Sequence, residues 1–249
     1  MKYKIIILSL LSVSIVLLSL NVGMFWDNVL FGSKMANPLF QNGVFNWNAI
    51  PLEADAGHPP FLATLLAIGW TWFGKSLVTS HFVMLPFIFG LLWQLYNFVD
   101  FFIKDKSLKI LGFILVCSDP SLLSQLFLVT PEVIQLFFFF LALNSVLRYN
   151  LYLKIIGLSF LGIVTYRGMM LCAGIFIIDI LIHAFIQKKS IKSFFTKSVF
   201  LTYFIASLPA CSYLLWRLIT KGWIISHPSQ LWGSAMEFSS VQDFLMNFG

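Results

Sequence analysis

Charge is what this sequence has least of. Only 10% of its 249 residues are Asp, Glu, Lys or Arg, against 59% that are hydrophobic. Water-soluble domains carry about 25% charged residues. A chain this poor in charge cannot cover a water-facing surface, which excludes a soluble globular domain and leaves an integral membrane protein with several helices. Short catalytic signatures are missing as well. There is no HExxH, CxxC, P-loop or GxSxG, so the usual marks of zinc hydrolases, redox centres, NTPases and serine hydrolases are absent. The four His do not cluster, which argues against a His-rich metal site. Cys117, Cys172 and Cys211 each lie in an apolar run without short spacing and read as small core residues. The net charge of +6 does not indicate nucleic acid, because Lys and Arg of a membrane protein mostly mark its cytoplasmic side.

What is present is hydrocarbon in long runs. Phe occurs 28 times, and "LFFFFLAL" (136–143) offers no polar face to water. The N-terminus carries Lys2 and Lys4 and then an apolar run that spans a bilayer. "NVGMFWDN" is a poor cleavage site, so the run reads as a retained first helix. Further apolar segments cover 60–74, 80–103, 108–128, 131–147, 153–166, 168–187 and 198–219. Residues 26–58 form the one long polar connection, with room for short surface helices such as 28–41, and 222–249 is a mixed tail that does not span. No repeat or linker divides the chain, so 1–249 reads as a single membrane domain.

The segment 60–74 decides the topology, being short for a crossing. If it crosses, six basic residues fall on the N-terminal side and ten outside, which inverts the positive-inside rule. If it does not, Lys34, Lys75, Arg167, Arg217 and Lys221 lie outside and the other eleven of the sixteen lie inside. The second arrangement is preferred. It predicts an all-α transmembrane bundle of about seven crossings (5–25, 80–103, 108–128, 131–147, 153–166, 168–187 and 198–219) with a cytoplasmic N-terminus. It also brings Asp27, Asp55, His58, Glu132 and Arg167 to one outer face.

Each of those residues has a local explanation and a chemical one. Asp27 closes the first helix and could cap the next. A carboxylate at an apolar boundary also holds a proton more tightly, which suits a general base toward a hydroxyl. Asp55 and His58 precede Pro59 and Pro60, which suit the first turn of a helix. The same stiff elbow could touch a head group, with His58 donating to a phosphate. Glu132 follows Pro131 at a helix start favoured by the dipole, yet acids at membrane depth are functional candidates. Arg167 between two apolar segments either snorkels or binds phosphate. Asp119, and Asp179 with His183 four residues on, read as structural, the latter two satisfying each other.

The order of these features resembles the multispanning glycosyltransferases of the GT-C fold, the group that includes protein O-mannosyltransferases and the aminoarabinose transferase of lipid A. The matching stretches are "WDN" at Asp27, "GHPPFLATLLAIGWTWFGKS", "TPEV" with Glu132 for the family's Asp, and "TYRG" with Arg167 for its Lys. They cover residues 26–168. The resemblance implies an inverting transfer of a sugar from a polyprenyl-phosphate donor at the extracytoplasmic side of a bacterial cytoplasmic membrane. Asp27 would be the catalytic base, with Asp55, His58, Glu132 and Arg167 binding substrate. The expected partners are the lipid-linked donor and membrane lipid; no cofactor is expected, with room left for a divalent metal. Family members have more crossings and a substantial C-terminal part, so a partner subunit or a missing C-terminal half is a further expectation. The rival readings are a non-catalytic membrane subunit, a lipid-linked-sugar transporter and an O-antigen polymerase or ligase; the last usually places its long loop late in the chain.

Overall fold

The computed structural model describes residues 2–25 and 28–224, and every regular element among them is helical. Helix α1 is Lys2–Ser19; a π-turn, Val29–Lys34, runs into α2, Met35–Asn42; α3 is Phe61–Phe73, α4 Leu77–Phe102, α5 Lys106–Cys117, α6 Pro120–Leu126, α7 Pro131–Leu147, α8 Leu151–Val164, α9 Tyr166–Leu181 and α10 Lys197–Lys221. Three apolar stretches are long enough to cross a bilayer: Leu77–Phe102, Tyr166–Ile186 and Lys197–Lys221. The pair α5 and α6 becomes a fourth if taken as one span with a 70° bend.

Local chemistry sets the helix starts. A short polar side chain placed just before the apolar run accepts an otherwise unpaired N–H of the first turn. Ser76 takes Thr79 N at 3.0 Å, Asp105 takes Leu108 N at 2.8 Å, Asn150 takes Leu153 N at 3.0 Å and Thr165 takes Gly168 N at 3.0 Å. The break between α5 and α6 has the same origin. In "CSDP", Asp119 accepts from Leu122 N at 2.8 Å and Pro120 stands at the first helical position, so a new helix begins where a continuous one was expected. At the other ends Gly74 (φ +85°) and Gly222 (φ +74°) take the positive φ that glycine tolerates, Gly222 in the left-handed conformation that closes a helix.

The contacts fix the direction of each helix. Lys4 Nζ donates to Asn97 Oδ1 at 2.8 Å, while Ser19 Oγ meets His81 Nδ1 at 3.0 Å, so α1 runs antiparallel to α4. The chain between them leaves and returns at the same end of the bundle. Helix α3 lies across that end: Trp70 Nε1 donates to Ser80 Oγ at 2.9 Å at the start of α4, and Phe61 meets Phe138 of α7 and Phe160 of α8. Helix α2 covers α3 with Met35, Ala36 and Leu39, all buried, so this short helix is half embedded in protein.

Helix α8 is central, packed by α7, α9 and α10. Its Gly157 permits the closest approach. A Cβ there would stand 2.7 Å from the Ala142 backbone nitrogen and 2.9 Å from Ala142 Cβ. Backbone cannot yield as a flexible side chain can, so Gly157→Ala must push α7 and α8 apart. The expected loss is about 1–3 kcal/mol. Thermal unfolding in detergent reads it against Gly174→Ala, whose Cβ would meet nothing within 4 Å.

Candidate functional site

The polar residues of the loop and the starts of α7 and α9 gather at the α3 end of the bundle. The loop is tied there by α10. Asp55 Oδ1 accepts from Gly57 N at 2.8 Å, closing a tight turn in which Gly57 takes φ +78°. The same oxygen accepts from Arg217 Nη2 at 3.1 Å, and both side chains are buried, Arg217 at 2% exposure and Asp55 at 4%. Arg217 Nη1 donates to the Tyr213 hydroxyl at 2.5 Å, and the guanidinium lies 3.8 Å from the Trp223 ring centroid. Trp47 packs edge-on against Trp216 at 5.4 Å and donates from Nε1 to Thr64 Oγ1 at 3.1 Å. Lys221 Nζ donates to the Ile50 carbonyl at 3.0 Å.

His58 continues from this clamp toward the start of α9. Its Nδ1 accepts from the Tyr166 backbone N–H at 3.4 Å, which leaves the ring proton on Nε2. Its ring stands 5.2 Å from that of Tyr166 and 4.9 Å, edge-on, from Phe31. The Tyr166 hydroxyl donates to the Ile224 carbonyl at 2.5 Å. The next residue, Arg167, faces Glu132 across a 3.9 Å ion pair, with 77% and 38% of the side chains exposed. A pair this open is weak, so the guanidinium is accessible to another anion. The Thr130 hydroxyl donates to Glu132 Oε2, and the Thr165 hydroxyl donates to Gln135 Oε1. The first bond fixes the Glu132 carboxylate at the start of α7, and the second ties the start of α9 to α7.

Of the residues singled out from the sequence, His58, Glu132 and Arg167 therefore come together, linked through Tyr166 and Thr165. Asp55 lies behind them, held by Arg217. Asp27 lies outside the described residues. Asp179 and His183 do not pair: Asp179 Oδ2 accepts from Lys154 Nζ at 2.7 Å and from the Tyr203 hydroxyl at 2.7 Å, while His183 Nε2 meets Ser193 Oγ at 2.8 Å. The helix widens into a π-turn at Ile182–Ile186, and a buried lysine needs a carboxylate more than a half-buried histidine does. Sequence reasoning passed over Arg217, Tyr166 and Gln135. Arg217 had a signal: an arginine inside an apolar run demands an anionic partner.

A groove of ≈ 450 Å³ opens beside Glu132. Glu132, Asp119, Gln125 and Gln135 supply its polar rim, and Leu95 and Phe140 belong to its apolar lining. Among the described residues no three His, Cys, Asp or Glu stand close enough to share a metal ion. No protein-family model, curated protein or solved structure matches this chain. The arrangement itself offers an accessible guanidinium at Arg167 and, beside its partner Glu132, a largely apolar groove, a set suited to an anionic head group carried on a long hydrocarbon.

Proposed function

We propose that the chain is a membrane glycosyltransferase that moves a sugar from a polyprenyl-phosphate donor to an extracytoplasmic acceptor with inversion. The observation that carries this reading is the meeting of His58, Arg167 and Glu132, from three distant parts of the chain, at the starts of α7 and α9, where Glu132 also lines the groove beside α7. The polyprenyl chain would lie in that groove and its phosphate would face Arg167 and His58. Asp27 would take the proton of the acceptor hydroxyl as its oxygen attacks the anomeric carbon. The bond from that carbon to the phosphate oxygen breaks, and the phosphate leaves with the electron pair. Negative charge grows on the phosphate as the bond opens, so the Arg167 guanidinium there favours the transition state over the ground state. Asp55 serves through Arg217, holding the elbow that presents His58.

The same reading takes seven crossings, α1, α4, the bent α5–α6 pair, α7, α8, α9 and α10, with the N-terminus in the bacterial cytoplasm and α3 on the outer side. Support comes from helix directions: α5 starts near Asp100 at one end, while α7 starts beside Arg167 at the other. One observation favours a non-catalytic membrane subunit instead, namely that Glu132 already neutralises part of the Arg167 charge.

Two measurements test the proposal. The purified chain, given a radiolabelled polyprenyl-phosphate sugar extract, should transfer label, and Asp27→Asn should not; equal rates in both would remove the base, and no transfer in either would favour the subunit reading. Single cysteines at positions 34 and 75 should react with an impermeant reagent on sealed cells, while those at 105 and 190 should not. Labelling of 105 but not 75 would put α3 across the membrane and separate the groups.

A further inference from the structure

At the end of the bundle away from the loop, four helices each bring a charged side chain to one spot. Lys4 of α1 stands 4.0 Å from the Trp93 ring centroid and 3.9 Å from that of Tyr96, and donates to Asn97 Oδ1 at 2.8 Å. Lys109 of α5 meets Asp100 Oδ1 of α4 at 2.5 Å. Arg148, just past α7, donates from Nη2 to the Asn97 carbonyl at 2.9 Å and reaches Asp100 Oδ2 at 3.5 Å. Lys104 Nζ donates to the Asp100 carbonyl at 3.2 Å, and Lys106 opens α5. The carboxylates here are Asp100 and Asp105, and Asp105 is engaged in capping α5 through Leu108 N at 2.8 Å. Five basic groups thus stand against two acids.

Like charges that converge beside lipid repel strongly, because the surroundings screen poorly. One carboxylate shared by Lys109 and Arg148 cannot offset the excess. A phosphate can: it brings negative charge and several acceptor oxygens to cationic donors. Hydrocarbon lies beside it. Leu108, Leu111 and Leu115 of α5 are exposed by 57%, 52% and 64%, and their spacing makes one lipid-facing stripe leading away from the cluster. Trp93 and Tyr96 provide the amphipathic rings typical of the membrane interface.

We infer that Lys4, Lys109 and Arg148 hold the phosphate of an anionic membrane phospholipid whose acyl chains lie along the leucine stripe of α5. The site is independent of the proposed sugar transfer and lies at the other end of the molecule. The chain is reconstituted in nanodiscs of equal phosphatidylglycerol and phosphatidylcholine, and the lipids it retains are counted by native mass spectrometry. Wild type should retain phosphatidylglycerol in preference. Lys109→Gln with Arg148→Gln should lower that preference roughly thirtyfold, from two lost surface cations. Lys75→Gln, at the loop end, should leave it intact. If the double variant does not fold, wild type alone decides, since rising sodium chloride should erode the preference. A preference that survives the double substitution or high salt would overturn the site. So would an equal loss in Lys75→Gln. Stabilisation of the delipidated chain by millimolar inorganic phosphate, as large as that by phosphatidylglycerol, would overturn the lipid assignment.

Discussion

Arg217→Met is expected to destabilise the protein by about 3–5 kcal/mol, because it strands a buried carboxylate. Asp55 is 5% exposed, and among the donors described its Oδ1 would keep the Gly57 N–H. The loop 43–60 would then be held by Trp47 and Lys221 alone among the contacts described to α10 and α3. Asp55→Asn should be the milder single change, since it removes the anion but leaves Arg217 buried beside an amide. The combined Asp55→Asn, Arg217→Met chain should regain most of the loss, since a buried ion pair replaced as a whole is often nearly neutral. Unfolding in detergent gives the energies, and limited proteolysis within 43–58 reports release of the loop. A double variant as unstable as Arg217→Met would show the cost comes from lost packing on Tyr213 and Trp223, not from an orphaned charge.

Asp27→Asn is expected to slow sugar transfer by about 10²–10⁴-fold, the usual contribution of a general base, with unfolding unchanged. Asp27→Glu keeps the carboxylate and should recover part of the rate. Arg167→Ala should also lower transfer, by roughly 10²–10³-fold, as loss of one charge-stabilising donor does. Its effect should fall on kcat more than on KM if the guanidinium acts on the departing phosphate. Arg167→Lys retains the positive charge and should lie between. A rate in Asp27→Asn that matches wild type would end the assignment of this residue, whatever Arg167 does.

The helices were legible because their signals are local. The segment 131–147 matches α7 at both ends, since Pro131 opens it and an apolar run fills it. The segment 60–74 forms the separate helix Phe61–Phe73, and the Ser19–His81 contact shows that the chain on either side of it returns to one end of the bundle. The break at Asp119 was written in "SDP" and was passed over because hydropathy averages across a single polar turn. Pairings were harder. Asp55 and Arg217 are 162 positions apart, and only the packing of loop against α10 makes them neighbours. Asp179 was assigned to His183 by the four-residue rule, yet Lys154 lies on another helix and wins through burial. His58, Glu132 and Arg167 were recognisable as candidates one by one, whereas Tyr166, Thr165 and Gln135, which join them, carry no charge to betray them.

The buried Lys154–Asp179 pair also bears on how the bundle comes apart. Lys154 sits in the first turn of α8 and Asp179 near the end of α9, both under 10% exposed and 2.7 Å apart. Breaking such a pair leaves a buried charge without its counter-ion, at a cost of about 3–5 kcal/mol. The Tyr203 hydroxyl of α10 donates to the same Asp179 oxygen at 2.7 Å. Helices α8, α9 and α10 are therefore expected to open together, as one cooperative unit.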